Sequence, residues 1–73
     1  MNETLQRQIK KKFGLKIRAL RTNKGLSQEE LASASLLDRT YIGGVERGER
    51  NISLINIYKL AHALNVPLTE LFE

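Results

Sequence analysis

Along almost the whole chain, apolar residues recur at intervals of three and four, and no segment alternates at every second position. A period near 3.6 lines one face of a helix, whereas a half-buried strand needs a period of two. The pattern therefore restricts the chain to an all-α fold of short amphipathic helices. Five glycines and a single proline, Pro67, are too few for a strand-and-turn architecture and serve as stops between helices. With 73 residues there is room for one domain, residues 1–73, and one modest core, but not for a separate catalytic domain.

Leu5, Ile9, Phe13, Ile17 and Leu20 line one face of a first helix over residues 3–24. Gly14 weakens it by about 1 kcal/mol relative to alanine, and Gly25 is placed as its left-handed stop. The stretch before Phe13 has a second reading, as a frayed or separate turn. Ser27-Gln28-Glu29-Glu30 has the form of a capping box, which opens a second helix reaching about Ser35, with Leu31, Ala32 and Ser35 inward. Asp38 is the expected N-cap of a third helix through Glu46, in which Ile42 and Val45 face the core and Gly48 marks the stop. Ser53 caps a fourth helix carrying Leu54, Ile57, Leu60, Ala61 and Leu64, ended by Asn65. Pro67 opens a fifth, short helix with Leu68, Leu71 and Phe72.

Charge is unevenly placed. Residues 1–24 hold eight of the 12 Lys and Arg but only one acid, Glu3. Such a basic third suits either a phosphate-facing surface or a solvated helix face. Without cysteine there is no disulfide framework and no thiolate metal site, so a cytoplasmic, nucleoid-associated location is expected. The apolar runs are too short to span a bilayer, and no secretory signal is visible. His62 is the lone histidine, no carboxylates cluster, and no phosphate-binding loop is present. No enzyme activity, metal or cofactor is expected.

Two short helices joined by Leu36, Leu37 and the Asp38 cap have helix-turn-helix spacing over about residues 27–48, although an ordinary αα-corner would space them alike. The third helix offers Arg39, Thr40, Gly43 and Gly44 on the side away from Ile42 and Val45. Arg39 can pair bidentately with guanine O6 and N7, and Thr40 can offer a hydroxyl or a methyl to a base edge. Two consecutive glycines are expensive inside a helix and suggest close approach to another surface, such as a groove wall. Arg47, Arg50 and Asn51 follow, placed to grip phosphate, though Arg50 also reads as a free surface residue.

The residues Leu20-Arg21, Gly25-Leu26-Ser27-Gln28-Glu29-Glu30-Leu31-Ala32, Ile42, Val45-Glu46-Arg47-Gly48 and Ala61-x-x-Leu64-Asn65-Val66-Pro67 resemble the Xre/Cro-type, lambda-repressor-like helix-turn-helix family. Asp38-Arg39-Thr40-Tyr41-Ile42, followed by Glu46-Arg47-Gly48-Glu49-Arg50-Asn51, is similar to the controller proteins of restriction–modification systems. The resemblance implies phosphate contact by Gln28, with Ser27 beside it, and base contact by Arg39 and Thr40. It places Tyr41 at the DNA, where the residue pattern alone also allows a core-boundary position. Gly44 stands at a base-reading position but lacks a side chain, so readout there is lost or moves to Arg47 or Arg39. Leu36 departs from the glycine or polar residue usual at the turn. A partly buried structural ion pair between Arg21 and Glu46 is also implied.

These features point to a transcription regulator that binds a palindromic operator in double-stranded DNA as a homodimer. The dimer surface is expected on helices within residues 53–73, through Ile55, Tyr58, Leu68 and Phe72, with Leu5 and Ile9 as competitors. Glu49, or residues beside Glu46, are candidates for contact with RNA polymerase. An antitoxin with an autoregulatory DNA-binding domain and a phage-type repressor are the alternatives.

Overall fold

A computed structural model describes residues 1–73 and contains four α-helices, α1 (Glu3–Asn23), α2 (Gln28–Ser35), α3 (Arg39–Glu46) and α4 (Leu54–Leu64), followed by a 3-10 helix at Leu68–Phe72. The expected fifth α-helix is thus replaced. Pro67 precedes the segment, which has only five residues, and its turn closes through an i→i+3 bond from the Glu70 amide to the Pro67 carbonyl at 3.0 Å.

Side chains and backbone account for the helix ends. Ser27 Oγ accepts from the Glu30 amide at 3.0 Å, while Glu30 Oε1 accepts from the Ser27 amide at 2.8 Å, completing the capping box. Those bonds hold the Glu30 carboxyl below its ordinary range. The stabilisation from this cap is therefore full above the ordinary glutamate range and is lost as pH falls below it, through the lowered value of the folded chain. Ser53 caps α4 in the same manner, and Asn65 ends it in the left-handed region. Asp38 occupies the N-cap position of α3, but its side chain makes no capping bond. The turn before it passes through Leu36, a left-handed residue at φ 59° whose side chain is 84% exposed.

Ile17, Leu31, Ala32, Ile42, Val45, Leu60, Ala61, Leu64 and Leu71 form one core, so every element contributes. The apolar row of α1 joins it only from Phe13 onward. Leu5 and Ile9 are exposed because the first part of the 21-residue helix projects past the body. Gly14 is a packing residue rather than a weak point. A Cβ there would lie 2.7 Å from the Glu46 carbonyl oxygen and closer still to that of Val45, so α1 crosses the end of α3 in direct backbone contact. Gly48 repeats the arrangement: φ is 76°, and a Cβ would lie 2.8 Å from Lys11 Cα. No helix is long and apolar enough to cross a membrane.

Candidate nucleic-acid interface

The start of α3 is open to solvent. Arg39 and Thr40 are both exposed, and neither takes part in an intramolecular side-chain hydrogen bond or ion pair. The buried side of the same helix carries Ile42, Val45 and Glu46, locked against α1 and α2. Free amides at the helix start add a partial positive charge beside Arg39. A packed scaffold thus presents a guanidinium and a hydroxyl on a solvent-exposed edge.

Gly43 and Gly44 are not on that open edge. Both are buried, because arginine side chains lie across them. A Cβ on Gly43 would meet Arg47 Nη1 at 3.0 Å, and one on Gly44 would meet Arg50 Nε at 3.0 Å. In the free chain the surface that approaches these glycines is its own, formed by the Arg47 and Arg50 side chains, both of which stand open to solvent. Arg50 also sits 5.3 Å from the Tyr41 ring centroid, a cation–π distance, so the guanidinium is seated rather than free. Tyr41 itself is half-buried against the core, and its hydroxyl accepts from Asn56 Nδ2 at 3.2 Å.

Three of the expected phosphate groups, Gln28, Arg47 and Ser27, have internal hydrogen-bond partners. Gln28 Nε2 donates to Glu46 Oε1 at 3.1 Å, so this side chain belongs to the α1–α3 tie. Arg47 pairs with Glu49 at 2.9 Å, with both side chains 59% exposed. Hydrogen bonding to Glu49 raises the Arg47 pKa, and the guanidinium in turn lowers that of Glu49. A pair this exposed is held only loosely, so phosphate can displace Glu49 readily. Ser27 is occupied with the cap, and Asn51 is exposed in the loop.

The Arg21–Glu46 pair is present. Arg21 Nε donates to Glu46 Oε2 at 2.6 Å and Nη2 to Oε1 at 3.0 Å, with side chains 11% and 3% exposed. Arg21 Nη1 also donates to the Leu26 carbonyl at 2.7 Å, which fixes the approach to α2. Glu46 raises the Arg21 pKa, chiefly through the hydrogen bond. Glu46 is buried, whereas Glu49 is exposed and engaged with Arg47.

Ile55, Tyr58 and Phe72 are exposed, the last packed on Phe13 with ring centroids 5.6 Å apart. Leu68 is half-buried and packed on the core, because the 3-10 turn brings it inward beside Leu71, so less of it is open than of the other three. The Arg50 seat and the Gln28 bond have no local signal in the sequence, since their partners are nine and eighteen residues distant.

Residues 17–71 match the helix-turn-helix family. The chain belongs to that family. Its α2–turn–α3 segment falls inside the matched span. Among relatives, the control protein C.MunI of a Mycoplasma species is 48% identical over 88% of this chain and 88% of its own. Control protein C.BamHI of Bacillus amyloliquefaciens is 48% identical over 84% of this chain and 76% of its own. Among solved structures, the restriction-modification controller protein C.AhdI from Aeromonas hydrophila superposes with a TM-score of 0.84 at 64% identity, covering 85% of this chain and 94% of that one.

Proposed function

We propose that this helix-turn-helix protein is a transcription regulator of the restriction–modification controller type, binding a two-fold symmetric operator as a homodimer. The observation that carries the reading is the unobstructed pair Arg39 and Thr40 at the start of α3, in a chain 64% identical to a controller protein. Arg39 pairs with a guanine edge in the major groove and Thr40 with its neighbour, while Arg47, Arg50 and Asn51 hold the backbone. Gln28 and the amides at the start of α2, beside Ser27, hold a second phosphate. Tyr41 supports Arg50 and reaches DNA through it, and Gly44 acts by letting Arg50 lie flat. One domain of this size touches few base pairs, so two copies joined through Ile55, Tyr58 and Phe72, with Leu68 beneath them, place their α3 helices on successive major-groove faces.

Selection from a random duplex library tests this reading. The expected product is a palindrome whose half-sites are centred about 10 base pairs apart. Sedimentation should show two chains per duplex, and affinity should exceed that for a shuffled duplex by roughly 1,000-fold or more. A library that yields no motif, or one chain per selected duplex, contradicts the reading.

A further inference from the structure

We propose that Arg7, Lys10 and Lys11, on the projecting first half of α1, bind the phosphate backbone of the duplex just outside the half-site read by α3. The proposal rests on the DNA-binding reading above and extends its footprint to residues outside the matched family span of 17–71. Glu3 to Lys11 is eight residue steps, about 12 Å of helix at 1.5 Å per residue. No residue of that stretch belongs to the core, which α1 first meets at Phe13.

Its placement gives it a use. Lys11 lies in backbone contact with Gly48, at the end of α3. Lys10 shares a surface concavity with Asn51, and another with both Arg50 and Asn51. Arg7, one turn before Lys11, is exposed on the same face of α1. Lys10 and Lys11 therefore border the segment from Gly48 to Asn51, and Arg7 carries the positive charge one turn further out along α1. Neither ion pair of the molecule, Arg21–Glu46 or Arg47–Glu49, engages any of them. The apolar residues of the overhang, Leu5 and Ile9, stand two residues out of step with Arg7 and Lys11, roughly on the opposite side of the helix. A run of cations without ion-pair partners that starts beside a phosphate-gripping loop matches a polyanion with regularly spaced charges. It has no side chains arranged to read bases, so its contribution is sequence-independent.

The test compares the parent with the triple variant Arg7→Gln, Lys10→Gln, Lys11→Gln on the selected operator, once blunt-ended and once with ten flanking base pairs on each side. Anisotropy titrations are run from 50 to 200 mM salt. Each neutralised phosphate adds about 0.9 to the slope of log affinity against log salt, so losing as little as one phosphate contact per chain, two of the six cations per dimer, makes the slope shallower by about 1.8. The parent's affinity should then fall about 12-fold further than the variant's across that range. The parent should bind the flanked duplex at least tenfold tighter than the blunt one, and the variant should bind both alike. Arg7→Gln alone, at an exposed position before the core begins, gives the same direction with a smaller change and guards against a folding defect in the triple variant. Equal slopes for parent and variant, with no effect of flanking duplex, overturn the proposal. So does a variant that matches the parent on DNA but loses binding to phosphatidylserine vesicles, which assigns the cations to a membrane surface. A parent that fails to discriminate operator from shuffled duplex sinks the earlier reading instead, and the slope comparison still stands on any duplex.

Discussion

Gly14→Ala is expected to destabilise the protein by about 3 kcal/mol or more, read as a fall in the urea midpoint at unchanged slope. Helix propensity alone argues the opposite sign, since alanine is about 1 kcal/mol better than glycine inside a helix. Packing wins because the obstacles are backbone carbonyls. The new Cβ would lie 2.7 Å from the Glu46 oxygen and nearer to that of Val45, and neither can rotate away as a side chain would. Relief requires α1 to lift off α3, which opens the core around Ile17, Ile42 and Val45. Against a total stability of roughly 4–11 kcal/mol for a chain of 73 residues, that loss is severe. A midpoint equal to or above the parent's would show that α1 and α3 do not cross at this point.

Glu46→Ala is expected to cost about 3–5 kcal/mol, because it leaves Arg21 largely buried without its counter-ion. Three donor groups lose their acceptor at once: Arg21 Nε and Nη2, and Gln28 Nε2. The bond from Arg21 to the Leu26 carbonyl does not compensate, since it leaves the charge unbalanced. A coupled measurement separates the pair from its desolvation. Arg21→Leu combined with Glu46→Leu should cost less than Glu46→Ala alone, because no buried charge is stranded. Additive losses in the double variant would mean that the two side chains act independently.

The boundaries of α2 and α4 are legible in the sequence because the devices that set them are local. Ser27 and Glu30 lie within one turn, as do Ser53 and Asn56, and Asn65 needs only its own backbone freedom. The open edge at Arg39 and Thr40 is legible for a similar reason: Ile42 and Val45 define the buried side, and helical geometry then places the other residues. Features decided between elements leave no such trace. Gly43 and Gly44 are two glycines in a helix either way, and only the path of the following loop brings Arg47 and Arg50 back over them. Propensity marks Gly14 as a weak point, whereas its role depends on where α3 ends. Leu68 and Phe72 belong to one amphipathic turn, and 3-10 rather than α rotation sends one inward and the other out. The overhang of α1 has an apolar row that periodicity assigns to a core, but the core stops short of it.

Recognition by Arg39 is most directly tested by methylation interference on the selected operator. Guanine N7 faces the major groove and is one of the two acceptors for a bidentate arginine. With the parent protein, methylation of one guanine in each half-site should block binding. With Arg39→Ala, affinity for the unmodified operator should fall by about 1–3 kcal/mol, and the interference at that guanine should vanish while all other positions keep theirs. An interference pattern identical in parent and variant would contradict the assignment of Arg39 to the DNA groove.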